Sequence, residues 1–158
     1  MKQILLNALH AAVFFVILSA NVKSAEILFN CNIGKYSYQI ILDGESIIYS
    51  HSILNVKDLN VHASKTDASF KMASSPLSGG DVAYIQFSRG DYSYYFYDAI
   101  TYARDPPLDA IGVMVWRNGV MLSDRACSGN KNGLFSEVYQ DIPRVEMGEQ
   151  VFLKIIDR

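Results

Sequence analysis

Cys31 and Cys127 are the only two cysteines in a chain of 158 residues, and their spacing decides which sulfur chemistry is open to them. A redox or metal-binding thiol pair wants a short C-x-x-C or nearby histidine ligands. Neither is present, and two cysteines allow one intramolecular pairing, a structural disulfide. Closing a loop of about 100 residues stabilises a fold by roughly 4–5 kcal/mol in the chain-entropy view. Past residue 24 the histidines are His51 and His62. No H-x-x-x-H, H-E-x-x-H or Cys/His cluster accompanies them, so neither a metal nor another cofactor is expected. No G-x-S-x-G nucleophile turn and no phosphate-cradling glycine motif occurs. Asp43, Glu45, Asp105 and Asp109 supply acids of the kind that cleave glycosides in pairs. Asp43 adjoins Gly44, however, and Asp105 precedes Pro106-Pro107, where a solvated turn acid is the simpler assignment. The expectation is therefore a protein that is not an enzyme. Arg89-Gly90-Asp91 spells the tripeptide that integrins recognise, although Gly90 serves a turn and the charges keep its tip soluble.

The elements that would position these residues are mostly strands. Glu26–Cys31, Lys35–Asp43 and Ser46–Ser50 are short runs rich in Ile, Leu, Tyr and Phe, cut by Gly34 and Gly44. Ile53–Ala63 follows neither a helical nor a strand period, and Asp67–Ala73 reads as a further strand. Ser74–Gly80 reads as a loop by composition. Val82–Ser88 and Tyr92–Asp98 flank Arg89-Gly90-Asp91 as a hairpin. A two-residue turn would put Ala83, Ile85, Phe87, Tyr92, Tyr94 and Phe96 on a core face, and Val82, Tyr84, Gln86, Ser93, Tyr95 and Tyr97 on the other. Asn118-Gly119 between Ile111–Arg117 and Val120–Cys127 predicts a type I′ hairpin. It would place Val120, Leu122 and Ala126 with Ile111, Val113 and Val115, and Met121 with Met114 and Trp116. Leu134, Phe135, Val138, Tyr139 and Ile142 recur at helical spacing up to Pro143, and Val151–Ile156 alternates as a last strand. The fold class expected is mainly β: an antiparallel sheet or small barrel with one short C-terminal helix and a single disulfide.

Residues 1–24 have the order of an export signal: Lys2, a largely apolar Ile4–Leu18, then small residues at Ser19, Ala20 and Ser24. Asn7 and His10 interrupt the apolar run, which falls short of the roughly 18 clean residues a spanning helix needs. Residues 25–158 then form a single β-rich domain, expected in the periplasm, without stable membrane insertion once the signal is cleaved. Of the 14 basic and 16 acidic residues, only Lys2 and Lys23 fall in the signal, so the remainder has a net charge near −4. With no Lys/Arg run to neutralise phosphates, nucleic acid is excluded as a partner.

Phe29-Asn30-Cys31, Ser78-Gly79-Gly80-Asp81-Val82-Ala83-Tyr84, the charged turn Arg89-Gly90-Asp91 and Arg117-Asn118-Gly119 through Cys127 give an order of features. That order resembles the small exported C-type lysozyme inhibitors, antiparallel β proteins with an early and a late cysteine and a Ser-Gly-x-x-Tyr loop. The interval to Tyr84 is two residues longer than in that motif. The resemblance implies a protein that binds and neutralises another.

The function expected is a periplasmic protein-binding module against an envelope-attacking enzyme, either an immunity protein for a secreted antibacterial toxin or a lysozyme inhibitor. Its partner would be a basic enzyme or toxin. The segment Ser75–Asp81, with Ser78, Gly79 and Asp81, would be the inserting loop. Tyr84, Tyr95, Tyr97 and Trp116 would be aromatic anchors, and Asp81, Asp91, Asp105 and Asp109 steering acids. The alternatives are an envelope structural or adhesion subunit, favoured by an open sheet edge, and a small envelope hydrolase, favoured by a histidine beside a carboxylate in a cleft.

Overall fold

A computed structural model describes residues 25–129, 131–132, 134 and 142–158. Nine strands follow one another, most through two-residue turns: β1 (Glu26–Ile33), β2 (Tyr36–Asp43), β3 (Ser46–Ile53), β4 (Val56–Ser64), β5 (Phe70–Leu77), β6 (Gly80–Arg89), β7 (Tyr92–Thr101), β8 (Leu108–Arg117) and β9 (Val120–Ala126). A two-residue strand, β10 (Lys131–Asn132), and one helix, α1 (Glu149–Ile156), complete them. The strands make two five-stranded antiparallel sheets, ordered β10-β1-β2-β3-β4 and β5-β6-β7-β8-β9. Each sheet is thus an almost uninterrupted meander. The expected β-class, disulfide and short C-terminal helix are present; the barrel alternative is not, because the two sheets do not close on one another.

Alternation along the strands produces the layers. Phe29, Cys31, Ile40, Leu42, Ile47 and Tyr49 of the first sheet meet Phe70, Met72, Ala83, Ile85, Phe87, Phe96 and Val113 of the second in one buried core. Aromatic rings make its centre, with Tyr49 5.1 Å from Phe87 and 5.2 Å from Phe96, and Phe29 5.4 Å from Phe96. Such pairs contribute about 0.5–1.5 kcal/mol each beyond area burial. The sheets cross instead of running parallel. Phe96 meets Phe29 of β1 and Tyr49 of β3, and Tyr94 meets Tyr49. Tyr92 and Tyr94 in turn lie beside Leu59 of β4. Strand β7 therefore traverses the first sheet from β1 to β4, the arrangement of an orthogonal sandwich. The Cys31–Cys127 disulfide joins the first sheet to the end of β9 across a separation of 96 residues.

The opposite face of the second sheet is covered by α1. Val151 and Ile155 are buried on Ala73, Val82, Tyr84, Tyr97, Ala99, Leu108, Met114 and Trp116. The strand expected over Val151–Ile156 is therefore a helix. Strand alternation would bury Leu153 with Val151 and Ile155, yet Leu153 is 43% exposed while its neighbours at i−2 and i+2 are buried, and an i, i+4 pair buried on one side is helical. Glu149 in the first turn and Lys154 in the last suit the helix dipole. The helix expected over Leu134–Ile142 lies outside the described residues except for its ends, Leu134 and Ile142, which are buried. The export signal expected over residues 1–24 lies outside them entirely.

Three other expectations change. Ile53–Ala63 resolves into the end of β3, a Leu54-Asn55 turn and β4. The loop expected over Ser74–Gly80, and with it the inserting segment Ser75–Asp81, is paired hairpin, with Ser75 opposite Val82, Pro76 opposite Asp81 and Leu77 opposite Gly80. Only Ser78 and Gly79 turn. Composition misled there because polar serines on the outward positions of a strand look like those of a loop. In the Asn118-Gly119 hairpin both turn residues have positive φ, 49° and 78°, as a type I′ turn requires. A bulge at Val115/Trp116 then places Ser123 opposite Val115, Arg125 opposite Val113 and Ala126 opposite Gly112, so Ala126 takes the face opposite to the one expected and Leu122 is the unpaired residue of the bulge.

Candidate functional site

Burial removes three of the expected anchors from the surface. Tyr84 is 2% exposed, Tyr97 0% and Trp116 8%, all beneath α1. The Tyr84 hydroxyl accepts the Gly148 N–H at 3.2 Å where the helix begins. The Tyr97 hydroxyl donates to Asp124 at 3.4 Å, and the Arg158 guanidinium lies 4.7 Å over its ring. Tyr95 is half-buried, edge-on to Tyr84 at 5.2 Å and to Trp116 at 6.2 Å. These side chains hold α1 against the sheet, because an amphipathic outer face on the second sheet has to be covered by something apolar. Ser78 and Gly79 form the β5–β6 turn, fastened by the Thr101 hydroxyl on the Ser78 carbonyl and by the Tyr102 N–H on the Gly79 carbonyl at 3.2 Å. Asp81, Asp105 and Asp109 are exposed at this end of the sheet. Asp91 stands at the other end of β6 and β7.

Around Asp91 the structure assembles a different set of side chains. Leu59, Arg89, Gly90, Asp91, Tyr92 and Tyr94 line an open groove of about 560 Å³ between β4 and the β6–β7 turn. It lies where Leu59 of β4 comes beside the residues of the β6–β7 turn. Arg117 lies 5.4 Å over the Tyr92 ring, with its guanidinium 4.0 Å from Asp91. The Asn118 N–H donates to the Asp91 carbonyl at 3.1 Å, fixing the two hairpin turns to one another. Tyr94 stacks at 5.8 Å on Phe87 and 6.4 Å from Tyr92. Burial, with Tyr92 adding, raises the Tyr94 phenol above its ordinary pKa, against an opposing pull from Arg89. The groove offers one aliphatic side chain, two phenols, one guanidinium and one carboxylate, with the Arg117 guanidinium adjoining them over Tyr92. The hairpin spacing puts Tyr92 and Tyr94 on the core face, which is their direction. The spacing carried no sign that the sheet ends there.

Two other places could carry chemistry. His51 Nδ1 lies 3.3 Å from Asp58 Oδ2, and its ring sits between Tyr36 at 5.7 Å and Tyr38 at 4.8 Å. Its Nε2 is buried without a hydrogen-bond partner among the described residues. An acid–histidine relay needs a nucleophile at that nitrogen. On the solvent face of the first sheet Ser37, Gln39, Ser50, Ser52, Asn55 and Lys57 line a shallow pocket of about 200 Å³. Among the described residues no group of three or more His, Cys, Asp or Glu is placed to hold a metal ion.

Fold and site together describe a disulfide-linked crossed β-sandwich with a helix on one face and an aromatic, charged groove where the sheets part. No family model, curated protein or solved structure matches the chain.

Proposed function

We propose that this chain is an exported protein-binding module, and that its partner is an envelope-attacking enzyme that it neutralises, as an immunity protein or a lysozyme inhibitor does. The single observation that carries the reading is the composition of the groove. Tyr and Arg are the residue types that dominate interface energetics, and here Arg89, Tyr92 and Tyr94 line the groove with Asp91 and Leu59, while Arg117 lies over the Tyr92 ring beside them. The groove replaces Tyr84, Tyr97, Trp116 and the Ser78-Gly79 turn as the contact surface. A disulfide-linked sandwich presents such a patch already ordered, which lowers the entropic cost of association.

The test is to express the chain with and without residues 1–24 in cells challenged by lysozyme or by toxin-bearing competitors, beside an Arg89→Ala/Tyr92→Ala variant. Protection by the exported wild type alone is expected. Equal protection by the cytoplasmic form, or by the groove variant, would reject the reading.

A second reading has its own observation. The outer edge of β4 pairs with no strand among the described residues, and an open edge suits strand addition in an envelope structural or adhesion subunit. Concentration-dependent self-association abolished by Asn60→Pro would favour it.

A further inference from the structure

The turn between β3 and β4 is built against its own stability. Leu54 and Asn55 take φ values of 51° and 64°, a two-residue turn in which Asn, Asp or Gly is favoured and a leucine is strained. Leu54 and Val56 are each 70% exposed, so burial does not offset that strain. Folding gives no reason for two bare aliphatic side chains at the tip of a hairpin.

Their surroundings supply one. The Leu54 N–H donates to the Lys35 carbonyl at 2.8 Å, which brings the β1–β2 turn alongside, and Lys57 follows Val56 on β4. Among the described residues neither Lys35 nor Lys57 pairs with a carboxylate; the adjacent Asp58 is engaged by His51. Asn55 and Lys57 also form one wall of the shallow pocket whose other walls are Ser37, Gln39, Ser50 and Ser52, a set of hydroxyls and amides. The opposite end of the same sheet carries Glu26, Asp43 and Glu45, with Lys65 on Glu45 at 2.9 Å. Two lysines and two exposed aliphatics, with Asp58 the acid beside them, thus stand at one end of the sheet, and acids outnumber bases at the other, in a chain of net charge −2.

We infer that this end of the first sheet is a seat for an anionic phospholipid surface. Leu54 and Val56 enter the interfacial region, Lys35 and Lys57 meet the lipid phosphates, and the polar pocket behind Lys57 receives a headgroup. Apolar residues flanked by lysines give the two forces that hold a protein on a bilayer without spanning it. The acidic end is repelled by the same surface, which sets the orientation. This seat is separate from the groove. Leu59, on the groove, is three residues beyond Val56 on β4, about 10 Å at strand rise, so an attached molecule holds the groove just clear of the headgroups.

The test uses the exported form of the chain in flotation with vesicles of phosphatidylcholine alone and of phosphatidylcholine mixed about 3:1 with phosphatidylglycerol. Binding to the mixed vesicles and not to phosphatidylcholine alone is expected, weakening as salt rises. The decisive variant is Leu54→Asn/Val56→Thr, which puts a favoured residue into the left-handed position and keeps a β-branched one in the strand. It should melt no lower than wild type while its partition falls about tenfold. Lys35→Glu/Lys57→Glu should abolish binding. No partition of the wild type, equal partition into both vesicles, or an unchanged Leu54→Asn/Val56→Thr variant would each overturn the proposal.

Discussion

Gly112 is a glycine because of Tyr97: a Cβ at residue 112 would lie 2.1 Å from the Tyr97 hydroxyl and 2.4 Å from the Arg125 carbonyl oxygen. The two residues face one another across β7 and β8, and the missing side chain makes room for the phenol to reach Asp124. Gly112→Ala should therefore destabilise by about 1–3 kcal/mol, as overpacking does. Urea unfolding measures it. Double substitution with Tyr97→Phe, which removes the hydroxyl, should recover part of the loss; identical losses in the single and double variants would leave the Arg125 carbonyl and the Tyr97 ring carbon at 2.5 Å as the cause.

The same phenol makes stability depend on alkaline pH. Burial pushes the Tyr97 pKa up to about 12, with the Arg158 cation pulling the other way, whereas an unfolded tyrosine ionises near pH 10. The fold favours the neutral form, so this contribution is complete below about pH 10 and is lost as pH rises through about 12. Its scale is on the order of 2–3 kcal/mol. Tyr49, more deeply desolvated, is shifted in the same direction. Urea midpoints should fall between about pH 10 and pH 12, and less steeply in Tyr97→Phe. A flat profile over that range would mean that the unfolded phenols gain nothing by ionising.

Tyr84 and Tyr92 should separate stability from binding. Tyr84→Ala empties space beneath α1 and should cost about 3–5 kcal/mol, seen as a lower melting temperature. Tyr92 is 36% exposed on the groove. Its alanine variant should melt almost as wild type while losing about 2 kcal/mol or more of partner affinity. Calorimetry on both variants checks the pair, and a reversed pattern would move the contact surface back to the helix side.

Gly119, with φ 78°, tolerates no β-branched residue, whereas Asn118 at φ 49° accepts Asp. Gly119→Val should lower the melting temperature markedly and Asn118→Asp hardly at all. Equal small shifts would show that β8 and β9 pair without help from their turn.

Cys127→Ser, or reduction, should lower stability by about 2–5 kcal/mol without unravelling either sheet, since hairpin hydrogen bonds hold each one. Far-ultraviolet circular dichroism with a denaturant series measures both parts. Two free thiols in the denatured, untreated protein would contradict the pairing.

Turn chemistry made the β6–β7 and β8–β9 hairpins legible in the amino-acid sequence, because Gly90-Asp91 and Asn118-Gly119 act within a few residues. The Cys31–Cys127 link followed from arithmetic alone. Val151–Ile156 was not legible: five apolar residues in six satisfy either period, and what decides between them is the face made by Tyr84, Tyr97 and Trp116 on distant strands. The groove escaped for a related reason. Leu59 and Tyr92 become neighbours only through the angle at which the sheets cross, and no local pattern encodes that angle.

The division of the sandwich into successive halves also orders events in time. A chain that emerges N-terminus first finishes β4 at Ser64, roughly sixty residues before Cys127 is available. During that interval the first sheet presents Phe29, Ile40, Leu42, Ile47 and Tyr49 to solvent with nothing to cover them, and Cys31 has no intramolecular partner. Its contacts are almost all between adjacent hairpin strands, so each sheet can form quickly; docking of one upon the other is the step that waits. The half-finished molecule is therefore the sticky one, and a holdase acting on nascent chains would find its binding surface on the inner face of β1–β3, which the finished protein never shows.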